Sequence, residues 1–222
     1  MWIMFSQVLR TQWLASRQVV SVFVVLAFAA PLATVYYGGS LTTAGASRIS
    51  GWLVGAEAIG SAIPIIAMFL GVALGIATWA PDHLGKHVYA LVLPLPRSLF
   101  VLLRFGAGVT LMLVPVAALG LGAMIATLAV DLPTGVHAYP MQLTLRFGFA
   151  ALACFAIFFA MSIGTKRALL LLLGLIGGVL LADLLVQTFG GETHVAETVL
   201  YLLTNWPGPL SILLGRWALF DV

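Results

Sequence analysis

From Ala168 to Phe189 the chain reads ALLLLLGLIGGVLLADLLVQTF, an apolar run with a single ionisable residue, Asp183. Wound into a helix, about 20 such residues match the thickness of a bilayer's hydrocarbon core. No water is present there, so backbone N–H and C=O groups are satisfied only inside a helix or a closed barrel. Barrel strands would appear as short segments of alternating polarity, and the runs here are unbroken. Comparable runs recur along all 222 residues, of which 62% are hydrophobic and only 8% charged, against roughly 25% charged in soluble domains. The expected fold is all-α: a polytopic membrane helix bundle forming one domain over residues 1–222, with an N-terminal interfacial amphipathic helix and five to six transmembrane helices.

The first 17 residues, MWIMFSQVLRTQWLASR, put Trp2, Phe5, Leu9 and Trp13 on one side and Ser6, Arg10 and Arg17 on another. That is the pattern of a helix lying in the interface before the chain enters the membrane. A secretory signal peptide is the competing reading, with Val19–Ala30 as its apolar region, but the preceding residues are amphipathic and long for a signal's basic start.

The spans then follow in order. Val19–Tyr37 is the first, with Pro31 inside it and Tyr36 and Tyr37 at its boundary. The second lies within Trp52–Trp79, longer than a crossing needs, with Glu57 in its interfacial part. The third occupies much of Leu99–Val130, the fourth Leu143–Gly164 and the fifth Ala168–Phe189. Val195–Phe220 is long enough for a sixth, yet it holds Glu197, Asn205, Arg216 and Pro207-Gly208-Pro209. It reads as a broken sixth span or as two interfacial helices.

Basic residues set the orientation. Arg10, Arg17, Lys86, Arg97, Arg104, Lys166 and Arg167 fall on one side of these spans, and only Arg48 and Arg146 on the other. The first side, with the N-terminus, is therefore expected in the cytoplasm. All loops are short, and a net charge of +3 scattered over them gives no reason to expect nucleic acid.

The stretch Ala80–Arg104, APDHLGKHVYALVLPLPRSLFVLLR, is the long polar interruption. Leu84, Val88 and Leu91 recur at helical spacing while His83, Lys86 and His87 fall elsewhere, so a short amphipathic helix is expected, ended by Pro94 and Pro96. Its spacing is an acidic residue, Asp82, then Gly85, a proline nine residues on at Pro94, and basic residues at Arg97 and Arg104. This resembles the membrane-subunit signature of ABC-2 type transporters, and the resemblance extends to the amphipathic start and the six-span plan. Two features differ: Lys86 follows the glycine where the family commonly has Thr or Ser, and Asp82 alone precedes it. Within the family, Leu93–Pro96 (LPLP), the turn Gly164-Thr165-Lys166-Arg167 and the proline-broken C-terminus resemble the haem-exporter permease of cytochrome c maturation.

The resemblance implies a multi-pass permease of the cell (inner or plasma) membrane. Such a permease works with a second permease subunit, identical or different, and with cytoplasmic ATP-binding subunits that carry ATP and Mg. It implies an ATPase-coupling loop made of Asp82, His83, Gly85, Lys86, His87, Pro94, Arg97 and Arg104. The bland alternative is that any cytoplasmic loop is basic and amphipathic.

Other residues carry candidate chemistry. Asp183 in the fifth span is costly in hydrocarbon unless it faces a wet interior or lies near the boundary, so it is a candidate for a transport path, with Glu57 second to it. His83 and His87 lie one turn apart, but two ligands do not close a metal site, and solvated loop histidines are the simpler reading. Cys154, the single cysteine, reads as packing. The patterns Gly71-x-x-x-Gly75 and Gly174-x-x-Gly177-Gly178 permit close helix contact. No glycine-rich turn is followed by Lys-Ser or Lys-Thr, so any ATP is expected on a partner chain and no cofactor on this one. No set of nucleophile, base or metal ligands is apparent within the spans, so no catalytic residues are assigned. A structural subunit of a membrane complex that transports nothing fits the short loops as well as a permease does.

Overall fold

The computed structural model describes residues 2–41, 60–84, 96–130, 136–164, 167–189, 194–205, 208, 210–215 and 217–221. Helix α1 runs from Trp2 to Leu41 as 40 residues without a break, about 60 Å at 1.5 Å per residue and so about twice the hydrocarbon thickness. The interfacial helix expected over the first 17 residues and the span expected from Val19 are thus one element. No Gly or Pro stands at their junction, Arg17-Gln18-Val19, to interrupt the hydrogen-bond ladder. Pro31 lies inside the helix, where Thr34 Oγ1 donates to its carbonyl at 2.6 Å.

Helix α2 (Ala62–Leu84), α3 (Arg97–Leu128) and α4 (Pro140–Gly164) follow, then α5 (Ala168–Thr188) and α6 (Val195–Thr204). The first five are long and apolar enough to cross a membrane, and the protein is a multi-pass membrane protein of all-α class. Leu84, Arg97 and Gly164 lie at one end of these helices, termed basal; Ala62, Leu128 and Pro140 lie at the other, termed distal.

Helices α1 to α4 form a ring in which α1 lies along α3 and α2 along α4, closed by α1 against α2 and α3 against α4. Each long pair runs in parallel: Gln12 and Phe28 of α1 meet Arg104 and Gly122 of α3, and Gly71 and Gly75 of α2 meet Cys154 and Phe158 of α4. Although α2 and α3 are consecutive in the chain, they sit at opposite corners and touch little.

Gly71 shows how the core is closed. A Cβ there would stand 2.5 Å from the Ala151 carbonyl oxygen and 2.7 Å from Cys154 Cβ, so α2 reaches α4 because this position has no side chain. Ala67, Leu70, Leu74, Leu119, Phe147, Ala151 and Phe155 fill the centre. Cys154 is buried among them, the packing role its apolar setting suggests.

The expected sixth crossing is replaced by a shorter element. Helix α6 has 10 residues, about 15 Å, and stops where Asn205 takes an extended conformation (φ −84°, ψ 147°) ahead of Pro207. It lies back along α5, with Ala196, Val199, Leu200 and Leu203 against Leu175, Ile176, Val179 and Leu180. A 3-10 turn at Ser211–Leu213 follows. The chain then ends at the distal side, where strand β2 (Phe220–Asp221) pairs antiparallel with β1 (His137–Ala138), Ala138 opposite Phe220 and His137 opposite Asp221. Trp217, Leu219 and Phe220 are buried there. The described part of the C-terminal segment packs on the distal end, and among the described residues five helices are long and apolar enough to cross.

Candidate functional site

The basal end of the ring holds a buried arginine among aromatic rings. Arg104 stands two turns into α3 and is only 6% exposed. Its guanidinium lies 4.9 Å from the centre of the Trp79 ring of α2 and 5.0 Å from that of Phe100, one turn earlier on α3. A cation held between two aromatic faces away from water gains on the order of 2 kcal/mol or more. Gln12 of α1 donates from Nε2 to the Arg104 carbonyl at 3.2 Å. Around them the rings of Trp79 and Phe159 lie 5.3 Å apart, and Phe105 lies 5.4 Å from Phe155 and 5.3 Å from Phe159. The spacing explains the contribution of α4: Phe155 and Phe159 are four apart and share one helix face. One layer thus ties all four ring helices together. Gln12 Oε1 and Trp79 Nε1 are buried within it and find no hydrogen-bond partner among the described residues.

The residues expected to form a coupling loop divide into three groups. Asp82 and His83 fall in the last turn of α2, which continues through Pro81 to Leu84; the helix expected from Leu84 onward has its first residue there. Gly85, Lys86, His87 and Pro94 lie outside the described residues, as does Glu57. Pro96 caps α3 with φ −62° and ψ 135°, the extended geometry that a proline before a helix favours. Arg97 and Arg104 are therefore helical, one exposed and the other buried. Arg104 does not belong to a loop surface: it is part of the bundle, because Trp79 and Phe100 offer its guanidinium two flat faces.

Asp183 lies in the last two turns of α5, near the distal end, and is partly buried. Its Oδ1 accepts from the backbone N–H of Ala196 at 3.1 Å and its Oδ2 from Gln187 Nε2 at 2.9 Å. Gln187 Nε2 is also 3.3 Å from His194 Nδ1. The carboxylate thereby caps the first turn of α6 in place of the side chain of His194, which makes no capping bond. Replacing Asp183 by Ala is expected to cost α6 about 1 kcal/mol. Amide exchange at Ala196–Thr198 should accelerate while α1 to α4 keep their protection; unchanged exchange at Ala196 would show that the carboxylate does not hold this helix.

At the distal end Arg146 performs a joining role that sequence reading, which used it only to orient the spans, does not reveal. It lies two turns into α4, donates from Nε to the Ile212 carbonyl at 3.4 Å and from Nη2 to the Leu214 carbonyl, and stacks 4.7 Å from the Trp217 ring centre. Gly215 has φ +93°, and a Cβ there would stand 2.9 Å from Arg146 Nη2, so glycine serves both the turn and the approach. The available signal was an arginine four residues after Gln142 on a span otherwise free of charge.

Helix α5 stands apart from both ends. Its described side chains are exposed or half-buried, and a Cβ at Gly174, Gly177 or Gly178 would meet nothing within 4 Å. The close contact that this glycine pattern permits is made by no described residue of the chain. Compared with models of known protein families, with curated proteins and with solved structures, the chain matches none.

Proposed function

We propose that this chain is the permease half of an ATP-driven exporter of the ABC-2 type, moving its substrate across the cell membrane when a separate ATPase subunit engages the connection between α2 and α3. The observation that carries the reading is the basal layer. The connection joins opposite corners of the ring, and the helices at its two ends are locked to each other and to α1 by Arg104, Trp79 and Gln12. A force on the connection is then transmitted to four helices at once, which is what a rigid element biasing a two-state bundle requires.

Charge supports a cytoplasmic basal end. Arg10, Arg17, Arg97 and Arg167 are exposed there, against Arg146 at the distal end among the described residues, the bias in basic residues that the positive-inside rule reads. In this reading ATP and Mg belong to the cytoplasmic partner, a second permease subunit completes the path, and this chain contributes no catalytic residue. The narrower version, a haem exporter, rests on the resemblance of Leu93–Pro96 and Gly164–Arg167 and would be recognised by cytochrome-maturation proteins copurifying with the chain.

The test is partner-stimulated ATP hydrolysis by the reconstituted complex. Gly85→Pro and Pro94→Ala, both in the connection, are expected to lower the stimulation several-fold while leaving the melting temperature of the permease unchanged. Stimulation and transport indifferent to both substitutions would remove the coupling role and favour a structural subunit.

A further inference from the structure

The first turns of α1 carry a polar feature that the transport reading uses only to orient the chain. Gln12, Ser16 and Val20 are buried against the ring, Gln12 through its bond to the Arg104 carbonyl. Trp2, Ser6, Arg10, Trp13 and Arg17 recur at steps of three and four and are all exposed, so they form one open stripe along the helix. Within it Arg10 and Arg17 stand seven residues apart, about 10 Å along the axis, with Trp13 between them.

The stripe is cationic, and its own helix holds nothing to neutralise it. No Asp or Glu precedes Glu57 in the chain, and neither Arg10 nor Arg17 has a hydrogen-bonded or ion-paired partner among the described residues. Of the acidic residues on the described helices only Asp82, in the last turn of α2, lies at the basal end. The sequence also sets the depth of the stripe. Arg17 is the last charge ahead of the first span, and none follows until Arg48. It therefore stands where α1 meets the hydrocarbon, with Trp13 and Arg10 one and two turns outside, in the head-group layer that tryptophan favours. In a helix the Cα–Cβ bond tilts toward the N-terminus, so both arginines leave the backbone in the direction of the head groups.

We propose that Arg10, Trp13 and Arg17 bind an anionic phospholipid of the leaflet at the basal end, its phosphodiester on the two guanidiniums and its glycerol region against the Trp13 ring. Charge complementarity selects this occupant. The planar guanidinium matches a phosphate's paired oxygens, and a lipid of net negative charge brings no cation of its own to the pair. Phosphatidylcholine places a quaternary ammonium beside the same phosphate, which opposes the arginines and offers no N–H donor. An acidic soluble chain could meet Arg10, but Trp13 and Arg17 stand at the edge of the hydrocarbon, where lipid is the neighbour already present. The site rests on the membrane placement of α1 alone and is independent of the transport reading.

The experiment places the full-length protein in nanodiscs of phosphatidylcholine mixed with an equal amount of phosphatidylglycerol and counts the lipids retained on release by native mass spectrometry. Wild type is expected to retain phosphatidylglycerol in preference. Arg10→Gln and Arg17→Gln should each lower that preference about fivefold, and both together about 25-fold. The corresponding pair of lysine substitutions, which keeps the charge, should retain most of it. Both positions are exposed, so the melting temperature is expected to stay unchanged in every variant. Location is read from Trp13, as the emission lost between wild type and Trp13→Phe. Phosphatidylglycerol brominated on its acyl chains should quench that emission more than brominated phosphatidylcholine does, and added salt should shrink the difference. Equal retention of the two lipids by wild type, or an unchanged preference in the double glutamine variant, would overturn the proposal. So would Trp13 emission that neither brominated lipid quenches, the result expected if a soluble acidic chain and not the bilayer covers the stripe.

Discussion

Gly71→Val is expected to unfold the four-helix ring, whereas Gly174→Val leaves stability within about 0.5 kcal/mol of wild type. The two glycines sit in similar apolar helices and differ in what surrounds them. A Cβ at position 71 would stand 2.5 Å from the Ala151 carbonyl oxygen, 2.7 Å from Cys154 Cβ and 2.7 Å from the Phe155 nitrogen. Two of these three atoms are backbone, so the clash cannot be relieved by a side-chain rotation and α2 must move away from α4. Overpacking of a tight core costs roughly 1–3 kcal/mol where side chains can yield, and here they cannot, so the cost is placed at about 3 kcal/mol or more. In a bilayer, lipid tails are as apolar as leucine, and helix association rests on close packing; separating α2 from α4 therefore removes much of what holds the ring. A Cβ at Gly174 would meet no atom of another described element within 4 Å. Chemical unfolding of the purified protein in detergent checks both, and equal midpoints for the two variants would contradict the packing described for α2 and α4.

Arg104→Ala is the second large effect, expected at about 2–4 kcal/mol. The substitution removes two cation–aromatic contacts in a buried setting, together on the order of 2 kcal/mol or more, and leaves a void between Trp79 and Phe100, offset in part by no longer burying a charge. Arg97→Ala, seven residues earlier and exposed, is expected to change stability by less than about 0.5 kcal/mol. Arg104→Lys should recover only part of the loss, since an ammonium lacks the flat face that lies over the two rings. If the basal layer transmits force from the connection, Arg104→Ala also lowers partner-stimulated hydrolysis more than Arg97→Ala does. Unfolding midpoints that rank these variants otherwise would show that the guanidinium is not a fastening point.

The spans were legible because length and apolarity alone determine them. Leu99–Val130, Leu143–Gly164 and Ala168–Phe189 were expected, and the helices run Arg97–Leu128, Pro140–Gly164 and Ala168–Thr188. The inward faces were less legible, for a physical reason. In water an apolar face marks the core, but in a membrane both core and lipid are apolar. The side chains chosen as the apolar face of the N-terminal segment include Trp2 and Trp13, which are 79% and 42% exposed. The inward positions there are Gln12 and Ser16, followed by Val20, Ala27 and Ala30, a stripe that hydrophobicity alone does not mark. The C-terminal segment was long enough to cross, and its Pro-Gly-Pro run marked the break, but the return of Trp217, Leu219 and Phe220 onto the distal end depends on pairing with His137–Ala138, some eighty residues away, which no local pattern encodes. Arg104 was singled out through its spacing from Gly85 and Pro94; that it is buried follows from Trp79 and Phe100, which the spacing does not include.

The most direct test of the coupling account is site-specific photo-crosslinking in native membranes, with the reactive side chain placed at Lys86 in the connection and, as a control, at Gln142 on the distal rim. The account predicts that position 86 captures a soluble ATP-binding chain, in yields that differ between the nucleotide-free and nucleotide-bound states, and that position 142 captures none. Crosslinks from position 86 that reach only membrane chains or lipid, whatever the nucleotide, would contradict it.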